Sequence, residues 1–232
     1  SYGGTSYIIN AMLGGSMDKE GTFGSKSGWS GLRTTAALVE KFEDPSGDTD
    51  SRAYFWSDGQ SLQINDIGVF TDGYAITKFR NKTSTGALAP NVAYDGNGNT
   101  FMDTDFPMFR LADVYLMFAE AVLRGGNGGT LGEALGYVND LRERAYGDTS
   151  GNIEQSELNL NFILDERARE LFWEGHRRTD LIRFGKFTGG DYLWPWKGNV
   201  KEGVATESFR DLYPIPSSDL AANPNLDQND GY

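Results

Sequence analysis

The densest run of charge in the chain lies between Asp165 and Arg178, where Asp165, Glu166, Arg167, Arg169, Glu170, Glu174, Arg177 and Arg178 fall within fourteen positions. Two carboxylates held roughly 5–10 Å apart across a sugar, one with a raised pKa, can hydrolyse a glycosidic bond. Glu166 and Glu170 stand four residues apart, as do Asp165 and Arg169, so each pair shares one helix face. The same spacing suits a purely structural helix whose arginines tie it to its neighbours. The arginines favour the structural reading. A neighbouring guanidinium lowers a carboxyl pKa, and a general acid needs it raised.

A second cluster, Asp95-Gly96-Asn97-Gly98-Asn99 followed by Asp103 and Asp105, resembles the opening of a calcium loop. Oxygen ligands at alternate positions suit Ca²⁺, and Asp95, Asn97 and Asn99 would supply them. The match then fails, because Thr100 stands where an EF-hand needs glycine and Phe106 where it needs a bidentate glutamate. A surface turn accounts for the same residues. His176, the single histidine, follows Gly175 and precedes two arginines. It is a candidate general base, and equally a cap at a helix terminus favoured by the dipole.

Aromatic residues form the third group. Tyr192, Trp194 and Trp196 cluster in one segment, and Tyr2, Tyr7, Trp29 and Trp56 stand in glycine-rich surroundings. Aromatic faces stack on the apolar C–H faces of sugars, while Asn, Asp and Arg bind the hydroxyls. Tryptophans also serve as core or loop anchors, which is the structural reading of Trp194 and Trp196. Tyr2, flanked by Gly3 and Gly4, is the aromatic residue singled out for glycan contact.

Several chemistries are excluded outright. The 232 residues contain no cysteine, so disulfides, thiolate zinc sites and thiol nucleophiles within the chain are absent. One histidine cannot build a multi-histidine metal site or a mechanism that needs two. No GxxxxGK[ST] phosphate loop is present, and the glycines at 125–129 join two helical patterns. With 21 basic against 33 acidic side chains the net charge is −12, which disfavours a nucleic-acid partner. No apolar run approaches the ~18 residues of a membrane span.

The elements that would position these residues change character along the chain. Residues 1–106 carry many of the 30 glycines and form a loop-rich region with short elements. Ser6–Ile9, Ala53–Trp56 and Tyr74–Phe79 read as strands, and Gly31–Phe42 as a helix. Residues 107–232 are helical, then extended. Leu111, Tyr115, Phe118, Ala119 and Val122 predict one helix. Thr130 and Glu133 form a capping box opening a second, with Leu131, Leu135, Val138, Leu141 and Ala145 on one side. A third runs from about Asn161 to Glu174, a short fourth from Arg177 to Phe184. The prolines of Leu212-Tyr213-Pro214-Ile215-Pro216 predict an extended tail. The first two helices make the pair of a helical-repeat scaffold, and two such pairs bury little alone, so partner helices are expected outside the chain.

The stretch from Phe106 through Met108-Phe109-Arg110-Leu111 to Ala121 is similar to the SusD/RagB family. So are Leu141-Arg142-Glu143-Arg144-Ala145 and the long run Ile163-Leu164-Asp165-Glu166-Arg167 through Trp173-Glu174-Gly175-His176-Arg177 to Arg183. The ending Leu212–Pro216 with Asn223-Pro224-Asn225-Leu226-Asp227-Gln228-Asn229 also matches. Residues 1–105 resemble the starch-binding members more loosely.

The resemblance implies a mostly α fold: tetratricopeptide-like helix pairs packed against a loop-rich, glycan-facing insert with short strands. It implies a non-catalytic binder of starch or another α-glucan on the bacterial outer-membrane surface; no cofactor is expected beyond the Ca²⁺ that Asp95, Asn97 and Asn99 would hold. Such a protein delivers oligosaccharide to a TonB-dependent transporter and is held by an N-terminal lipid anchor. The chain opens at Ser1 without a methionine, and the expectation is that it is the C-terminal half, with further sugar contacts in the other half. Asp165, Glu166 and His176 lose their catalytic candidacy under this resemblance. The alternatives are a glycoside hydrolase and a helical-repeat interaction module that binds no sugar.

Overall fold

A computed structural model of the chain describes residues 6–90, 93–94 and 100–232. Tyr2 and the Asp95, Asn97 and Asn99 cluster lie outside the described residues. The chain divides into two compact units, Ser1–Arg177 and Arg178–Tyr232.

The helical part of the first unit follows from caps and glycines. Helix α3 (Leu111–Leu123) and helix α4 (Leu131–Tyr146) form a pair, and α3 also packs on α5 (Leu160–Leu171). The Thr130 hydroxyl accepts from the Glu133 N–H, and the Glu133 carboxylate accepts from the Thr130 N–H, so the predicted capping box is formed. Helix α4 stops at Gly147, whose φ of 80° is open to glycine without strain. Removing the cap in Thr130→Ala is expected to cost about 1 kcal/mol, read as a lower urea midpoint at unchanged slope.

On α4 the predicted Val138, Leu141 and Ala145 are buried, while Leu131 and Leu135 are half-buried and Ala134 takes the inward place beside them. In α3 the stripe is rotated by one position. Leu111 is 62% exposed, and Ala112 and Leu116 are buried beside the predicted Ala119. Tyr115 and Phe118 sit on the flank and meet Tyr137 of α4, stacked at 4.4 Å and edge-on at 5.1 Å between centroids. Their aromatic contact, rather than full burial, explains their spacing.

The loop-rich part carries α1 (Ser6–Asn10), α2 (Ala36–Val39) and two small antiparallel ribbons. Strands β1 (Phe55–Trp56) and β2 (Ala75–Ile76) pair as Phe55 with Ile76 and Trp56 with Ala75, inside the predicted strand segments. Strands β3 (Ala93–Tyr94) and β4 (Thr100–Phe101) make the second ribbon.

Two expectations fail here. Ser6–Ile9 is helical, because Ile8 and Ile9 belong to an apolar run continuing through Ala11, Met12 and Leu13, all buried. A short run buried on every side carries no period to separate strand from helix. The predicted helix Gly31–Phe42 shrinks to α2. Its first half is extended, because Leu32 N–H donates to Ala11 O at 3.0 Å and Thr34 N–H to Tyr74 O at 2.8 Å. The β-branched pair Thr34-Thr35 suits that backbone. Ile9, Leu13, Phe23, Phe42 and Phe172 anchor the core beneath these loops.

The second unit holds most of α6 (Arg177–Arg183), then α7 (Ser217–Ala222). Between them Leu212–Pro216 is extended, as its prolines require. The side-chain amide of Gln228 clamps Ile215 from both sides: its Oε1 accepts from Ile215 N–H at 2.8 Å, and its Nε2 donates to Ile215 O at 3.0 Å.

Candidate functional site

The charged face of α5 is buried and fully committed. Glu166 is 0% exposed and accepts from Arg52 at 2.7 Å, Arg142 at 2.9 Å and Arg169 at 2.6 Å. Glu170 accepts from Arg110 at 2.6 Å, Arg144 at 2.6 Å and Arg52 at 3.1 Å. Glu174 is held by Arg110 at 2.7 Å and by Lys78. Burial alone would push the Glu166 carboxyl up, but Arg52, Arg169 and Arg142 outweigh it and hold it down at about 2. Burial likewise opposes, and Arg144 and Arg110 overcome, a shift of Glu170 to about 2. Neither can carry a proton at neutral pH, so neither is a general acid. Asp165, the most exposed of the group, is paired with Lys41. The glycoside-hydrolase reading of this helix is therefore overturned.

The same cations finish the helix. Arg110 Nη2 donates to Glu170 O at 2.6 Å, and Lys78 Nζ donates to the carbonyls of Glu170 at 2.8 Å and Phe172 at 2.9 Å. These are carbonyls that a helix end leaves without partners. Beyond them Trp173 turns at φ 65°, its indole N–H donating to Ile8 O at 2.7 Å. His176 consequently does not cap this helix: α5 ends at Leu171, and His176 lies just before α6.

The aromatic residues are distributed differently. Tyr7 stacks on Trp173 at 5.6 Å while leaving half of its surface exposed. Trp29 is 51% exposed and fixed through its backbone N–H to Asn10 O at 2.8 Å. Beside it the loops form a cleft of about 340 Å³, within the size range of small-ligand sites. Its apolar lining includes Trp56, Phe70, Leu32 and Met12, and its polar lining Ser16, Ser30, Arg33, Asp58 and Gln60. Trp56 is set by the β1–β2 ribbon and packs on the core. Phe70 is 59% exposed, and the Arg33 guanidinium lies 5.4 Å from its ring centre.

The polar groups are aimed by the loops. Arg33 donates to the carbonyls of Ile67 and Val69, leaving its Nε buried without an acceptor among the described residues. Ser16 Oγ donates to Asp58 at 2.7 Å, and Gln60 Oε1 accepts from Ala75 N–H at 3.0 Å. A β-carbon on Gly14 would fall 1.6 Å from Ser30 Oγ, so glycine is required for these two loops to approach. Asp58 is the one carboxylate among the described residues that line the cleft. The cleft can hold a polar, ring-shaped ligand by stacking and hydrogen bonds, and it lacks a carboxylate pair for bond cleavage.

The SusD family profile matches residues 4–232. The chain belongs to the SusD family. The starch-binding protein SusD of Bacteroides thetaiotaomicron is 35% identical over 275 aligned residues, covering 100% of this chain and 46% of that protein. A solved SusD-like protein described as laminarin-binding matches 97% of the chain and 44% of its own, with a TM-score of 0.58 and 26% identity. The surface glycan-binding protein A of B. thetaiotaomicron, in complex with laminarihexaose, matches 96% and 46%, with a TM-score of 0.62 at 22% identity. At that identity the last likeness is one of fold. The chain thus spans about half the length of these SusD relatives, and they are named for binding rather than catalysis.

Of the residues singled out in sequence, the structure brings Trp56 into the cleft and sets Trp29 next to its Ser30 wall. Trp194 and Trp196 belong to the second unit, and Tyr2 lies outside the described residues. Sequence reasoning missed Phe70, Arg33, Asp58 and Gln60. Arg33 was hidden by its assignment to the first half of a predicted helix, which is extended instead. The turn signal Ser57-Asp58-Gly59-Gln60, next to a predicted strand, was the available clue for the other polar groups.

Proposed function

We propose that the chain captures an α-glucan without cleaving it, in the cleft between Trp56, Phe70 and Arg33, with Tyr2 as a further stacking residue. The observation that carries this is the cleft itself: ring faces beside hydrogen-bonding side chains, with a single carboxylate. The 35% identity to a starch-binding protein across the whole chain supports starch over other glucans. The protein works at the bacterial outer-membrane surface, lipid-anchored, and hands oligosaccharide to a TonB-dependent transporter. Family membership supports both statements.

Open stacking surfaces bind in the micromolar to millimolar range, roughly −4 to −8 kcal/mol. Calorimetric titration with maltoheptaose, laminarihexaose and a fructan tests the reading. Maltoheptaose is expected to bind most tightly, with no reducing ends released. Phe70→Ala removes a half-exposed ring and is expected to weaken binding about tenfold, with Tm unchanged. A Phe70→Ala variant that binds maltoheptaose as the parent does would place the site elsewhere.

A further inference from the structure

The second unit contains a cleft of its own, about 620 Å³, whose chemistry differs from the first. Its back wall is Phe187 stacked on Trp194 at 6.1 Å between centroids. Its rim carries two accessible tyrosines, Tyr213 at 68% and Tyr232 at 45% exposure. Between wall and rim lies Arg178, sandwiched with its guanidinium 4.9 Å from the Phe187 ring and 3.9 Å from the Tyr213 ring.

That arginine is fixed rather than floating. Its Nη2 donates to Arg210 O and Asp211 O, both at 3.0 Å, which leaves Nε and Nη1 without a protein acceptor among the described residues. A guanidinium held flat by two rings and two carbonyls is pre-organised for an incoming anion. Arg210 and Lys197 also line the cleft, against one carboxylate, Glu207. The lining therefore carries a net charge of +2 in a chain of net charge −12. Lys197 spends its ammonium on the carbonyls of Gly189 and Tyr192, at 2.8 Å each, so the arginines are the groups that face a ligand.

The turn that supplies Gly198 and Asn199 to the lining is strained: Asn199 and the neighbouring Trp196 take left-handed dihedrals, at φ 62° and 70°. A bulky residue such as Trp196 is a true outlier there, and such outliers collect at binding sites because the surrounding structure must hold them. Asn199, Thr206 and Glu207 line the cleft, three side chains able to bond hydroxyls.

We infer that this cleft is a second carbohydrate site, selective for an acidic sugar: the ring stacks on Tyr213 and Tyr232 and the carboxylate docks on Arg178 and Arg210. The probes are sodium D-glucuronate and D-glucose, titrated into the ¹⁵N-labelled chain and followed at the Trp194 indole and arginine Nε signals. Glucuronate is expected to shift these signals with an affinity at least fivefold above that for glucose, and the difference is expected to shrink in 0.5 M NaCl. Arg210→Ala and the exposed Tyr213→Ala are each expected to weaken glucuronate binding at least fivefold. Phe70→Ala in the first unit is expected to leave it unchanged, so failure here and failure of the α-glucan reading are separable. Equal binding of the two sugars, no shift at Trp194 with either, or full binding in both second-unit variants overturns the inference.

Discussion

Replacing Glu166 with glutamine is expected to lower the unfolding free energy by about 3–5 kcal/mol, a large part of the stability of a unit this size. The carboxylate has no exposed surface and is the shared partner of three guanidiniums. Glutamine keeps the shape but removes the charge, so Arg52 and Arg142 stay buried with less compensation. Arg52 retains Asp50 at 2.7 Å and Glu170 at 3.1 Å, and Arg142 retains its ring contacts with Tyr146 and Phe162. The loss is therefore that of one hub, not of the whole network. Chemical denaturation measures it. A double-mutant cycle with Arg52→Met separates the pair from its surroundings: the double variant is expected to lose less than the sum of the singles, by 1 kcal/mol or more. Strict additivity would show that the two side chains act independently.

The same hub makes the protein acid-sensitive. Glu166 and Glu170 are held at about 2 in the folded chain, against an ordinary value of 4.5. Their folded values lie below their unfolded ones, so their contribution is complete above pH 4.5 and disappears as the pH falls toward 2. Each shift corresponds to about 3 kcal/mol, taking 1.36 kcal/mol per pH unit. Thermal melts are expected to give a flat Tm from pH 7 to 5 and a steep fall below 4.5. Arg144 is half exposed and holds Glu170 at 2.6 Å, so Arg144→Ala is the mild test. It raises the folded Glu170 value toward its unfolded one, so the expected result is a lower Tm at neutral pH and a shallower fall below pH 4.5 than in the parent. A Tm that stays level to pH 3 would contradict the assignment.

What could be read from the sequence divides along a physical line. Helices α3 to α6 announce themselves through a capping box, glycine stops and apolar spacing, all local signals. The arginine pattern of α5 showed in advance that its carboxylates were structural, because a pKa argument needs only neighbours in sequence. The loop region was harder. Gly31–Phe42 has helical spacing, but its backbone is captured by Ala11 and Tyr74, partners distant in sequence. The cleft depends on that capture, since it turns Arg33 toward Phe70. Its members come from four separate loops, so no single motif could reveal it. The rotation of the α3 stripe has a similar cause: the paired aromatic residues Tyr115 and Phe118 match the spacing of a core without being one.

The central claim is glucan capture in the first-unit cleft, and five tryptophans make it directly readable. The indole N–H signals of the ¹⁵N-labelled chain would be followed through a titration with maltoheptaose. The account predicts concentration-dependent shifts at Trp56, in the cleft, and at Trp29, beside its wall, with Trp173 unmoved because its indole N–H is committed to Ile8. Saturating maltoheptaose that leaves Trp56 and Trp29 in place would contradict it.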